Sequence, residues 1–217
     1  MSTAHKSAGT LTMSTIPKPP PLNKTQKAQI SKMIKMKEEV KFVDLVSSQA
    51  IAQALATTLI LSTVPQGTGQ SQRLGNQIRI LGFKINWDIT CADTTNIVRV
   101  IFWTYKSNSV NFAPSVAVVL NIGPAATQDV TSQYNFQNRK DYKIHHDKTF
   151  MLSTAANPQE RHSVRVNIPE KYQIVDYISD VNSSGSVNPL CLTYLSDSAA
   201  ASHPTINGTV RLFYQDA

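Results

Sequence analysis

The longest regular pattern of hydrophobic and polar residues runs from Val64 to Thr90. It begins as a loop rich in Gly, Gln and Ser and continues as a strand long enough to cross a whole sheet. The apolar residues occupy even positions up to Ile80 and odd positions from Leu81 onwards. Because successive side chains of a strand point to opposite faces, this change predicts a β-bulge at Gly82. After the bulge, polar and apolar residues alternate, which is typical of a half-buried antiparallel strand.

Similar patterns predict seven further strands after residue 55, although a helical run over Ser47–Ala56 is an alternative for the start of the first. The eight predicted strands are 56–64, 77–90, 97–106, 141–152, 162–168, 172–178, 190–195 and 206–214. Eight short strands after a polar arm are typical of an all-β fold, here a single eight-stranded antiparallel jelly roll.

Three details of these strands are specific enough to check. Strand 97–106 is apolar on both faces, so it should be buried on both sides, with a partner for Arg99. In strand 141–152, alternation places four apolar residues on one face: Tyr142, Ile144, Phe150 and Leu152. The long connection 107–138 should contain a short helix around Ser115–Leu120.

The positive charge is concentrated at the N-terminus. Residues 1–41 contain eight lysines and two glutamates, a net charge of +6, whereas the other 13 basic and 12 acidic residues leave +1. Prolines between Pro17 and Pro21 predict a flexible arm, and residues 23–40 have a short, near-helical apolar stripe. We therefore divide the chain into a disordered or partly helical basic arm, 1–41, and a jelly-roll domain, 42–217.

The composition also restricts the environment of the protein. The first ten residues contain no apolar signal region, and the most apolar window, Ala50–Val64, is too short to span a bilayer. We expect no membrane insertion and an intracellular protein when it is made. Cys91 and Cys191 are too few for a disulfide framework.

Sequence signals that resemble catalytic or metal sites are weak. The group His145-His146-Asp147 with His162 could suggest a metal site, but adjacent residues of a regular strand point to opposite faces, so His145 and His146 could not share one ion. The loop Gly67–Gly75 lacks the Gly-Lys-Ser/Thr ending of a phosphate loop, and the chain has no Gly-x-Ser-x-Gly motif. Asp176 and Asp180 would suit calcium between subunits, but nothing else supports such an ion. We expect no catalytic residues, no metal site and no cofactor.

The arm carries the stronger functional signal. Its lysines are spread singly, without the arginine forks that recognise base edges, so they can neutralise phosphate without selecting sequence. The predicted nucleic-acid-binding residues are Lys6, Lys18, Lys24, Lys27, Lys32, Lys35, Lys37 and Lys41. A solvated tail without a partner is the alternative interpretation.

Three segments together carry a resemblance to a known family. They are VPQGTGQSQRLGNQIRILGFKINWDI, VRVIFWTYK and YNFQNRKDYKIHHDKTFML. They resemble the capsid proteins of small circular Rep-encoding single-stranded DNA viruses, in which they would be the BC loop with strand C, strand D, and the end of the DE loop with strand E. The motifs cover roughly residues 42–152. The arm departs from that family, because it has scattered lysines in place of a dense arginine run.

The resemblance implies a structural protein of the virion, assembled in the host nucleus or cytoplasm. By this reading, roughly 60 copies of the jelly roll form a small icosahedral (T=1-like) shell around a single-stranded genome, circular DNA by the resemblance. The residues it assigns to assembly are Arg73, Arg99, Arg139 and Lys143. The alternatives are the capsid of a small RNA or satellite virus and a non-viral jelly-roll binding module. The host receptor is not indicated.

Overall fold

The computed structural model describes residues 21–37, 39–53, 57–106, 114–122, 128–178, 187–199 and 202–217. In chain order the elements are α1 Lys24–Lys37, β1 Lys41–Ala50, β2 Thr57–Ile60, β3 Gln77–Thr90, β4 Thr95–Tyr105, α2 Val116–Val119, β5 Tyr142–Ser153, β6 Gln159–Asn167, a 3₁₀ turn Glu170–Tyr172, β7 Ile174–Asp176, β8 Leu190–Ser196 and β9 Thr205–Asp216. The chain divides into two compact units, Met1–Glu38 and Glu39–Ala217. No helix in the described ranges is long and apolar enough to cross a membrane.

The second unit consists of two antiparallel sheets. Sheet A has the strand order β1-β9-β3-β6, with β7 paired to the start of β3, and sheet B has the order β2-β8-β4-β5. Consecutive strands mostly belong to different sheets, as expected for a jelly roll. The predicted all-β jelly-roll class is confirmed.

The bulge predicted at Gly82 is confirmed. The pairing of β3 with β9 shifts register between Ile80 and Gly82. A Cβ atom at Gly82 would lie 2.4 Å from the carbonyl oxygen of Val166, so no other residue fits without displacing β6. The bulge keeps Ile78 and Ile80 in the core before it, and Phe83 and Ile85 in the core after it.

The main core fills the space between the sheets and is centred on three aromatic rings. Phe102 of β4 stacks on Phe83 at 4.4 Å and on Trp87 at 5.4 Å between ring centroids. Truncating one such buried aromatic side chain to alanine typically costs about 3–5 kcal/mol.

A second apolar cluster lies on the other side of sheet B, where α2 and the segment after it cover the strands. Its buried members include Trp103, Val119, Leu120 and Tyr142. The predicted helix is confirmed: Ser115 caps α2 by accepting a hydrogen bond from the Ala117 amide. Strand β4 is therefore buried on both faces, as predicted, because one face contacts the main core and the other contacts this cluster.

Two strand predictions were wrong. Residues 41–50 form β1, which pairs with β9 over its whole length, although its polar end (Ser47–Gln49) suggested a helix. This edge strand exposes one face and its last three residues, so the hydrophobic alternation is weak. Because β1 was not predicted, the strand letters must be counted from one strand earlier. The segments assigned to strands C, D and E are therefore strands D, E and F of the jelly roll.

The predicted face of strand 141–152 was also wrong. The register of β4 and β5 shifts opposite Phe102 and Trp103, which leaves His145 as an extra residue. Ile144 consequently packs in the second cluster, whereas Phe150 packs in the main core.

The same bulge places the rings of His145 and His146 on the core side of sheet B. His145 Nε2 lies 2.8 Å from Thr104 Oγ1 and its ring contacts Tyr172 edge-on. Burial, with a smaller effect of Lys143, lowers the pKa of His145 to about 4. The ring of His146 stacks on that of His162 at 5.5 Å, and burial lowers the pKa of both.

We expect the jelly-roll domain to lose stability as the pH falls from about 6.5 towards 4. In this range the histidines of the unfolded chain become protonated, whereas the same histidines in the folded domain stay neutral because their pKa values are lowered. The contribution of His145 is on the order of 2 kcal/mol across this window. Thermal unfolding followed by circular dichroism between pH 8 and pH 4 measures the loss. Between pH 8 and pH 4, the melting temperature of His145→Gln should fall less than that of the unmodified protein. An equal fall in both proteins would contradict the assignment to His145.

Candidate functional surfaces

The arm lysines lie partly on a helix that starts at a well-formed cap. The Asn23 side chain accepts a hydrogen bond from the Gln26 amide at 2.8 Å, and the Gln26 side chain accepts one from the Asn23 amide at 3.0 Å. This reciprocal pair satisfies two amides at the start of α1. Lys24 and Lys27 are exposed on its first turns. Of the remaining predicted lysines, Lys32, Lys35 and Lys37 belong to the helix, whereas Lys6 and Lys18 lie outside the described residues.

Lys41 does not fit the predicted phosphate-binding set. Its side chain is 8% exposed, and its ammonium lies 2.7 Å from an Asp216 carboxylate oxygen. It also donates to the Gln72 carbonyl at 3.0 Å. A buried, paired ammonium cannot approach a nucleic-acid phosphate without breaking this bridge, so Lys41 belongs to the jelly-roll domain as the first residue of β1.

Arg73 organises the glycine loop before β3 from the inside. It is fully buried, donates to the Val64 carbonyl at 3.2 Å and to the Asn76 side chain at 3.0 Å, and also donates to the Gly75 carbonyl. Its guanidinium lies 4.0 Å from the centroid of the Tyr177 ring. The planar group can make these contacts together because its donors point in several directions.

Arg99 has the corresponding role for the segment that follows α2. It forms a two-point contact with Asp147, at 3.1 and 2.7 Å, and donates to the Ser132 carbonyl at 2.6 Å. Tyr134 donates its hydroxyl to the same carboxylate, and burial together with this bond raises the pKa of Tyr134 to about 12. The predicted partner of Arg99 therefore exists, within the same chain.

Arg139 and Lys143, the other predicted assembly residues, are exposed. The Arg139 guanidinium lies 4.1 Å from the ring centroid of Phe136, whose side chain is 68% exposed. Nearby, residues 119–122 run antiparallel to 133–135 through hydrogen bonds, and Ile122 is 67% exposed. We call Ile122, Tyr134 and Phe136 the loop apolar patch; sequence alone did not identify it, because its members come from irregular segments.

Of the two acidic residues considered for calcium, only one lies within the described residues. Asp176 accepts a hydrogen bond from the Gln77 side chain at 2.6 Å, and Asp180 lies outside the described residues. Within the described part of the chain, no group of three or more His, Cys, Asp or Glu side chains could hold a metal ion.

Comparisons with solved structures find viral particles. The structure of Desmodium yellow mottle tymovirus is 14% identical, with 100% of this chain and 98% of that chain covered and a TM-score of 0.37. The structure of Mud crab tombus-like virus is 9% identical, with 99% and 91% covered and a TM-score of 0.29. That of the 60-mer BFDV capsid protein is 8% identical, with 82% and 94% covered and a TM-score of 0.31.

No curated protein matches the chain. The family model of the satellite tobacco necrosis virus coat protein, however, matches residues 17–217, which include α1 and every strand of both sheets. The match extends over more than nine tenths of the sequence, so it covers the predicted arm lysines from Lys18 onwards as well as the jelly-roll domain. This chain is a viral capsid protein, and it belongs to the satellite tobacco necrosis virus coat protein family.

Proposed function

We propose that the chain assembles into a closed icosahedral shell of roughly 60 copies and encloses a single-stranded genome with its basic arm inside. The observation that carries this proposal is the match of the coat protein family along residues 17–217 of a two-sheet jelly roll. Capsid proteins associate with copies of themselves in virions, and this chain has surfaces suited to that role.

The loop apolar patch is the first such surface. Large hydrophobic side chains grouped on the surface of a subunit favour burial against a partner. Phe136 already has Arg139 over its ring, and aromatic and arginine side chains are enriched where protein surfaces meet. The contact with Phe136 supports an assembly role for Arg139, which stays a prediction until the patch is tested.

The arm supplies the second surface. Residues 1–38 contain seven lysines and one glutamate, so the net charge of +6 survives the loss of Lys41 from the set. A shell of roughly 60 chains would hold about 360 positive charges in its arms, enough to neutralise a few hundred phosphates. A longer genome needs other counter-ions or other basic residues of the shell.

The chemistry of the genome has two candidates. The three sequence motifs resemble capsids around circular single-stranded DNA, whereas the family match favours the satellite-virus alternative. Lysines that contact only phosphate do not distinguish DNA from RNA. Nucleic acid extracted from natural particles and treated with DNase or RNase would decide between them.

We predict that Phe136→Asp reduces particle yield at least tenfold while the subunit stays folded, because it places a carboxylate in a surface that assembly desolvates. Size-exclusion chromatography and negative-stain microscopy measure the yield. Gln137→Asp is the control, since it adds the same charge at an exposed neighbour without removing the aromatic ring. Normal particles from Phe136→Asp, or equal losses in both variants, would exclude a contact at this patch.

We predict that Arg73→Met destabilises the folded subunit by about 3 kcal/mol or more, because it leaves buried carbonyl groups without donors. Urea unfolding monitored by tryptophan fluorescence measures this loss. Arg139→Met, which removes an exposed arginine, should leave unfolding nearly unchanged. If Arg73→Met lowered assembly with unchanged unfolding, Arg73 would instead act between subunits.

We predict that deleting residues 1–38 leaves a folded jelly-roll domain but removes most of the nucleic acid retained in purified particles. Binding by the intact chain should weaken steeply with salt, because release of counter-ions favours it. The absorbance ratio at 260 and 280 nm, followed as salt is raised, measures retention in both forms. Truncated particles with a full load of nucleic acid would contradict the role of the arm.

Persistent monomers of the intact chain at high concentration would contradict the shell itself and favour a binding module.

A further inference from the structure

The outer face of sheet A has an ordered pattern of charge that is visible only in the strand register. Pairing aligns β1 with β9, β9 with β3, and β3 with β6. As a result, Asp44, Arg211, Lys84 and Arg165 form one row across four strands. Strands lie about 4.8 Å apart, so this row is roughly 14 Å wide.

The row has more positive charge than its acidic residue can neutralise. Asp44 contacts the Arg211 guanidinium at two points, both at 2.7 Å, and this hydrogen bond holds the pKa of Asp44 below its usual value. Lys84 and Arg165 are exposed, and no acidic side chain in the described ranges forms an ion pair with either. Two adjacent cations thus remain available to a ligand.

Aromatic rings lie beside these cations. The neighbouring row pairs Phe42 with Phe213, both partly exposed. The Arg211 guanidinium lies 4.4 Å from the Phe42 centroid, and that of Arg165 lies 5.0 Å from the Phe213 centroid. Guanidinium groups held over rings are fixed in position, and such planes and rings are the surfaces on which unpaired bases stack.

On the other side of the charged row, the face presents hydrogen-bonding groups and one closed ion pair, in which Arg161 donates to Asp88 at 2.9 Å. Ser163 donates to Asn86 at 2.7 Å, and Ser48 donates to Asn207 at 2.7 Å. Between them is a depression of about 120 Å³, next to Gly208. A Cβ atom at Gly208 would lie 2.1 Å from the Asn86 carbonyl oxygen, so the backbone requires glycine and the depression has no side chain at that point.

The two faces of the sandwich differ in what covers them. On sheet B, α2 and the segment after it bury the outward residues Ile101, Trp103 and Leu195 in the second cluster. On sheet A, the corresponding outward positions at Lys84, Asn86, Arg165 and Arg211 are exposed. The sheet to which the arm is joined, through β1, is therefore the one with a polar and basic outer face.

We propose that the outer face of sheet A, defined by Lys84, Arg165 and Arg211 with Phe42 and Phe213, binds single-stranded nucleic acid and faces the interior of the shell. This inference rests on the proposed function, because it assumes that the chain encloses a genome. Lys84 and Arg165 contact backbone phosphates, while the arginine planes and phenylalanine rings support bases without selecting sequence. A contact with another subunit fits the face less well, since burying two unpaired cations would be costly.

The test uses the full-length chain and a short fluorescein-labelled oligothymidylate, with anisotropy titrations over a range of salt concentrations. Lys84→Gln combined with Arg165→Gln should reduce the slope of log affinity against log salt by about 1.4, because each lost phosphate contact on a single strand contributes about 0.7. Lys140→Gln combined with Lys171→Gln removes the same charge from exposed residues elsewhere and should leave the slope unchanged. Circular dichroism checks that both variants are folded.

A second measurement locates the contact directly. Ultraviolet cross-linking of loaded particles, followed by mass spectrometry, should yield nucleotide adducts on peptides that contain Phe42 or Phe213. Unchanged salt slopes in the sheet variant, or adducts on the arm alone, would overturn this proposal while leaving the packaging function intact. Loss of assembly by the sheet variant without nucleic acid present would overturn it in favour of a subunit contact. If the unmodified chain bound no oligothymidylate and its particles held no nucleic acid, the proposed function itself would fail.

Discussion

The bulge at Gly82 is the constraint on which most of this structure depends. Strand β3 pairs with β9 and β6 along its length and with β7 at its start, so its register fixes the positions of three other strands. A shift of one residue exchanges the two faces of a strand. Without the bulge, continuing from Ile78 and Ile80 would turn Lys84 into the core and Phe83 out to solvent. The close contact of Gly82 with β6 enforces the shift, and the aromatic core and the basic outer face both follow from it.

Loop shape depends on a different interaction, the binding of arginine to backbone carbonyls. Arg73 and Arg99 each connect a loop to the sandwich through carbonyl oxygens and an aromatic ring. Loops have few backbone partners of their own, and a buried arginine can satisfy several carbonyls at once. Arg73 and Arg99, which the sequence assigned to assembly, therefore stabilise the loops of one subunit.

The sequence predicted the parts of the fold in which local pattern and tertiary role agree. The face change in β3, the double burial of β4 and the short helix α2 all have signals within a few residues. The missed features depend on distant partners. Strand β1 has a weak pattern because it is an edge strand held by β9, about 165 residues later in the chain. The bulge at His145 is visible only against β4, and it overturned the expectation that His145 and His146 lie on opposite faces.

The functional surfaces also divide into one that local sequence reveals and one that depends on residues far apart in the chain. Lysines in the arm are evident from composition alone, whereas the row from Asp44 to Arg165 combines residues from four strands and no sequence window contains it. Net charge conceals it as well: Glu39–Ala217 contains 14 basic and 13 acidic residues, a net charge of +1. Near-neutrality limits the repulsion between subunits that must pack side by side. A neutral domain can still bind a polyanion when its acids pair with some cations and leave others, such as Lys84 and Arg165, side by side on one face. On this proposal, binding by the domain depends on the register of sheet A, and that register is set by the glycine that places Lys84 on the outside.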